Sequence, residues 1–107
     1  MIHDTISKIE GKLENAGSLN DQTRRELLAL LATLKTEITK VDADQAQSIA
    51  SFTQASTHEA IRDEKNPELL KLSLEGLSAS VDGFEKSHPK LVEIVNRICT
   101  ALSGIGI

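Results

Sequence analysis

The sequence predicts an all-α protein: an antiparallel helical bundle of three to five helices with coiled-coil-like heptad packing. Three observations predict it. Four segments carry apolar residues in alternating steps of four and three. Residues that start and stop helices bound those segments. The apolar content is almost wholly Leu, Ile, Val and Ala, with no Trp or Tyr and with Phe52 and Phe84 as the aromatics. Alternating steps of four and three set every member on one stripe of an α-helix, the spacing of knobs-into-holes seams. An aromatic-poor, Leu-rich and charge-rich chain suits helices better than a sandwich, a barrel or a nucleotide pocket.

At 107 residues one domain spanning 1–107 is expected. Helices are expected over 2–16, 21–41, 45–63, 67–87 and 89–103. The first carries Ile2, Ile6, Ile9, Leu13 and Ala16, and Gly17 is expected to close it in the left-handed conformation. Ser18, Asn20 and Asp21 offer cap oxygens to the second. That helix holds Leu27, Leu31, Leu34, Ile38 and Val41, with Leu28 and Leu30 widening the stripe. The short turn between these two predicts antiparallel neighbours.

Residues 42–66 carry the weakest pattern, because their large apolar residues are Ile49, Phe52 and Ile61 alone. A helix is expected over much of the segment, extending the second helix or restarting at a Ser56–Glu59 capping box. A mobile connection is the alternative. Asn66-Pro67-Glu68 then opens the next helix with a cap side chain, a proline whose missing N–H costs nothing there, and an acid at the positive end of the dipole. Its stripe is Leu70, Leu74, Leu77, Val81 and Phe84. The last stripe is Leu91, Val95, Ile98, Leu102 and Ile105, widened by Val92 and Ile94.

Pro89 divides the final forty residues. It lacks an N–H and disfavours α geometry at His88. One structure stops a helix near Ser87 and starts another with Pro89 in its first turn. The other is a long helix kinked at Pro89. An interior proline costs about 3 kcal/mol, so the break is the expectation. At the terminus, Gly104 is expected in the left-handed conformation, with Ile105 folding back on Cys99 and Thr100 as in a Schellman motif. Gly106 then frees Ile107 to turn inward or trail. The functional alternative is an apolar tail docking on a partner or a membrane surface.

FEKSHPKL and the terminal ALSGIGI resemble the ending of a bacterial family known as domain of unknown function 4404. The family's chains close with Phe-Glu-x-Ser-His-Pro-x-Leu, a helix, and Ala-Leu-x-x-x-Gly-Ile. Phe84, Glu85, Ser87, His88, Pro89 and Leu91 match the first element, and Ala101, Leu102, Gly106 and Ile107 the second. LNDQTRRELLALLATL is similar to the family's second helix, whereas 42–66 shows no obvious match. Ile105 stands where Met is expected. The resemblance implies a short helical protein. It implies no activity, so no catalytic residue is carried over.

Recognisable chemical motifs are mostly missing. His58-Glu59-Ala60-Ile61-Arg62 has Arg62 where a zinc-binding helix needs its second histidine. Asp42 and Asp44 begin a calcium-loop spacing, but Gln47 replaces the required Gly and Thr53 the final Glu. No Ser-His-Asp order, phosphate-binding glycine loop or paired carboxylate in an apolar setting emerges. The net charge of −4 argues against nucleic acid, which needs clustered Lys and Arg. Arg24-Arg25 reads as a salt-bridging exposed spot. The single Cys99, the absence of a signal-peptide core and the lack of about 20 consecutive apolar residues predict a cytoplasmic protein without a membrane span.

The expected function is therefore non-enzymatic: a helical interaction or oligomerisation module with no cofactor, forming a homodimer or binding another protein. Four apolar stripes in a short chain motivate self-association, since a stripe left wet forgoes burial energy. The expected packing or interface residues are Leu27, Leu31, Leu34, Ile38, Leu70, Leu74, Leu77, Val81, Leu91, Val95, Ile98 and Leu102. Phe84, Ser87, His88 and Pro89 form the expected joint, and Gly104, Ile105 and Gly106 the cap. The alternative is a small-ligand or metal-responsive sensor using His88, Glu85 and Cys99, since histidine changes charge near neutral pH. Against it, His88 reads as a helix cap or a neighbour of Phe84, and Cys99 as a small buried residue.

Overall fold

The computed structural model describes residues 2–106. The expected placement of Ile107 lies outside them. Five α-helices follow in order: α1 (Ile2–Glu14), α2 (Asp21–Glu37), α3 (Ala43–Ile61), α4 (Pro67–Ala79) and α5 (Pro89–Gly106), with a 3-10 turn at Ile38–Lys40 after α2. Among the described residues there is no strand, and no helix is long and apolar enough to cross a membrane. Each helix packs on two or three others: α2 lies between α1 and α5, α4 between α3 and α5, and α3 against α1, α4 and α5. The radius of gyration is 12.7 Å, close to the ~13 Å of a compact chain of 100 residues.

The apolar stripes meet within this one chain. Ile6, Ile9 and Leu13 of α1 are fully buried, as are Leu27, Leu31 and Leu34 of α2 and Ile38 just after it. Leu70, Leu77 and Val81 join them from α4 and its end, and Leu91, Val95, Ile98 and Leu102 from α5. Leu74 and Phe84 are partly buried against the same core. Leu30 and Ile94 are buried too, as the widened stripes require. Stripes expected to need a second copy are thus already covered in the monomer.

Local chemistry accounts for most helix starts. The Asn20 side chain accepts from Thr23 N at 2.8 Å, Asp42 from Gln45 N at 3.0 Å and Asn66 from Leu69 N at 3.1 Å. Each such cap is worth about 1 kcal/mol. Pro67 stands in the first turn of α4, as expected.

The end of α1 corrects the sequence reading. Gly17 has no positive φ; that conformation belongs among the described glycines to Gly83, at φ +94°. Instead, short turns close the loop (Ala16 N to Leu13 O, Leu19 N to Ala16 O), and Arg24 reaches back from α2. Its Nε donates to Leu13 O at 3.1 Å, and its Nη2 to Ala16 O at 2.6 Å and Leu19 O at 3.1 Å. Its Nη1 pairs with Asp21 at 2.7 Å. An expected exposed arginine is therefore a clamp on carbonyls at the end of α1 and in the turns that follow it.

Segment 42–66 is neither a mobile connection nor an extension of α2. Val41 is extended and Asp42 caps a new helix. α3 buries Ala46, Ile49, Ala50, Thr53, Ser56, Thr57 and Ala60. Small side chains let α1, α4 and α5 approach its backbone closely, which a search for large apolar residues overlooks. Thr53 and Thr57 satisfy their hydroxyls on the carbonyls of Ile49 and Thr53, at 2.7 and 2.8 Å. Ser56 lies mid-helix instead of opening a capping box, and its buried hydroxyl has no hydrogen-bond partner among the described residues. An unsatisfied buried polar group costs about 1–3 kcal/mol. Ser56→Ala is accordingly expected to stabilise the fold by about 1 kcal/mol, read as a higher urea midpoint at unchanged slope.

Candidate functional site

The joint brings together residues the sequence marks as a group. α4 ends at Ala79, eight residues before the expected Ser87, and turns occupy 80–87. Gly83 supplies the positive φ that reverses the chain, and Glu85 accepts from Gly83 N at 2.8 Å. Val81 and Phe84 still point inward, so apolar spacing continues where the helix has stopped. Pro89 is the first residue of α5; the break is what forms. His88 docks this joint onto the 3-10 turn that follows α2. Its Nε2 lies 3.2 Å from Lys40 O, its Nδ1 lies 2.9 Å from Ser87 Oγ, and its ring meets Phe84 edge-on at 5.4 Å. In the tautomer protonated at Nε2, both ring nitrogens are satisfied: Nε2–H donates to the carbonyl and Nδ1 accepts from the serine.

The terminal cap does not form. α5 stays helical through Gly104 and Ile105 to Gly106, and Gly104 has no positive φ. Leu102 is buried, and Ala101 and Ile105 are partly buried against the core. Burying that last turn beside Leu19 and Asn20 outweighs the ~1 kcal/mol a helical glycine costs.

The three sensor residues are not brought together. Glu85 is engaged with the Gly83 amide, and His88 faces Lys40. Cys99 lies 11 residues beyond His88, most of that distance along α5, about 15 Å at helical rise. Among the described residues no three His, Cys, Asp or Glu side chains group so as to hold a metal ion. Cys99 instead faces Leu74 O, 4.0 Å away, on the floor of an open groove of about 400 Å³ between α4 and α5. Leu70, Leu74, Ser78 and Ser103 are its neighbours there.

Burial raises the Cys99 thiol pKa, because low dielectric disfavours the thiolate. The folded state therefore holds its proton where the unfolded chain has lost it. The stability contributed is present below the ordinary thiol range near 8.5 and is lost as pH rises through the higher folded value. Alkylation by iodoacetamide at pH 8 is expected to be several-fold slower than for a free thiol, and to reach the free rate in denaturant.

The exposed apolar surface lies elsewhere. Phe52 on α3 is 40% exposed, and Leu69 and Leu72 on α4 are 42% and 56% exposed. Phe52 lies over Gly76, so closely that a β-carbon there would fall 2.3 Å from the ring. Leu72 is one turn and Leu69 two turns before Gly76, so all three stand on one outward stripe of α4. Phe52 thus joins Leu69 and Leu72 in one apolar face across the α3–α4 seam. The sequence reading noted Phe52 but placed neither leucine on a surface. Their positions, off the Leu70–Leu74–Leu77 stripe, were the available signal.

HEAIR resolves as an ordinary helix end, with Arg62 paired to Glu59 at 2.9 Å. Asp42 is the cap of α3, its side chain accepting from Gln45 N. No curated protein and no solved structure matches the chain. The family match extends beyond the stretches that carry the resemblance, and takes in 42–66 as well. A family model described as a domain of unknown function, DUF4404, covers residues 2–107, and the chain belongs to that family.

Proposed function

We propose that this protein is a non-enzymatic helical interaction module that works by self-association, as a dimer, in the cytoplasm. The observation that carries the reading is the apolar face of Phe52, Leu69 and Leu72, left exposed by a chain whose other described large apolar side chains are buried or partly buried against one core. The surface differs from the one the stripes suggested. Leu27, Leu31, Leu77 and their partners hold the monomer together, and the face across α3 and α4 is where a second molecule gains contact. Exposed apolar clusters mark association surfaces more often than isolated exposed leucines do.

Sedimentation equilibrium tests the reading. The wild-type chain is expected to dimerise with rising concentration. Leu72→Asp should sediment as a monomer at the same loading with an unchanged circular dichroism spectrum, since this side chain is more than half exposed. A wild-type chain that stays monomeric at hundreds of micromolar removes self-association.

A further inference from the structure

We propose that two copies of this chain pair α4 against α4 in antiparallel fashion, about a two-fold axis passing between Leu72 and Ser73. This rests on the self-association reading above and adds its partner geometry. An antiparallel dyad lying in the interface brings the same flank of both helices together, with positions mirrored about the axis. The pattern on α4 is complementary under that operation. Leu72 meets its own copy near the axis. Leu69 lies as far on one side of the axis as Gly76 lies on the other, so the partner's Leu69 reaches the level of Gly76. There it meets the Phe52 ring that covers this glycine. Each copy thus offers one leucine and receives one on its phenylalanine.

The charges repeat the match. Lys71 and Glu75, both exposed, lie on opposite sides of the axis, out of step by one position, about 1.5 Å of helical rise and within the reach of their side chains. Lys71 therefore comes opposite the partner's Glu75, and Glu75 opposite the partner's Lys71. A parallel arrangement would instead set the Lys71–Glu75 flank of each helix against the Leu69–Gly76 flank of the other, leaving both charges opposite apolar surface. The charge order selects the antiparallel one. The apolar centre is three side chains on a molecule measuring 36 × 24 × 22 Å, small beside the ~800 Å² per partner of a standard interface. The dimer is accordingly expected in the micromolar range or weaker.

Charge exchange tests the geometry. Full-length wild type, Lys71→Glu, Glu75→Lys and the double variant are compared by sedimentation velocity across a concentration series, with circular dichroism confirming the fold of each. Each single reversal places like charges opposite each other twice per dimer, and is expected to weaken association about tenfold at low salt. The double variant restores both pairs and is expected to return to within about threefold of wild type. A wild-type dimer unmoved by both reversals and by Leu72→Asp overturns this geometry while leaving self-association standing. Reversals that weaken the dimer without rescue by the double variant overturn the register. A wild-type monomer at every concentration overturns the geometry and the self-association reading together.

Discussion

Leu77→Asp is expected to leave the chain unfolded at every protein concentration. Leu77 is fully buried in the last turn of α4, the helix that packs on both α3 and α5. Removing the side chain alone, as in Leu77→Ala, costs about 2–5 kcal/mol through lost transfer energy and the remaining cavity. The aspartate adds a carboxylate that must stay desolvated or protonated. A domain of this size has about 5–15 kcal/mol to lose, so the combined penalty takes most or all of it. Loss of helical ellipticity at 25 °C is the expected reading for the aspartate, and a urea midpoint lowered in proportion for the alanine. Dilution separates this from loss of a dimer. An unfolded chain has no helical signal at any concentration, whereas a dissociated one keeps it. Leu31→Asp is expected to behave in the same way, because Leu31 is 1% exposed within the same core.

Arg24→Ala is the second large effect, expected to destabilise the fold by about 2 kcal/mol. Hydrogen bonds to a charged group contribute about 1.5–3 kcal/mol. Arg24 gives three to carbonyls of the α1–α2 connection and one to Asp21. Water replaces part of that set once the side chain is gone, which keeps the cost near one strong bond's worth. The guanidinium fork reaches several acceptors from one stem, and a lysine ammonium does not. Arg24→Lys should therefore recover less than half of the loss. Chemical denaturation measures the size. Native-state hydrogen exchange locates it, with faster exchange expected at Ala16 and Leu19, whose amides close the connecting turns. A loss spread evenly across all five helices would argue against the clamp.

How far the sequence could be read depended on the range over which each feature acts. Asn20 and Asn66 as caps, and Pro67 and Pro89 in first helical turns, follow from groups within four positions of one another. The stripes of α1, α2, α4 and α5 follow equally, because a residue's direction on a helix is set by its number. Glycine misled in both directions. Gly17 and Gly104 carry the right residue at the right place but adopt no positive φ, while Gly83, overlooked, adopts one. A glycine permits that conformation without requiring it, and the surrounding packing chooses. The end of α4 was hidden for a related reason. Val81 and Phe84 hold the apolar rhythm through turns that are no longer α-helical.

The candidate surface was less legible than the core. Leu69 and Leu72 lie off the Leu70–Leu74–Leu77 stripe, but periodicity alone does not say whether a neighbouring helix covers a second stripe. Gly76 was likewise silent until α3 laid Phe52 across it.

From its sequence alone this protein is a helical chain with four apolar stripes, a break at Pro89 and no recognisable catalytic motif, because periodicity and capping are short-range and written in neighbouring residues. Only the tertiary structure decided that the alanine- and serine-rich α3 is a buried member of the bundle, that Arg24 spans from α2 to the end of α1, and that the uncovered apolar face lies across α3 and α4. Each of these depends on which helices come side by side: small residues become core where other backbones approach, and large ones stay wet where none does.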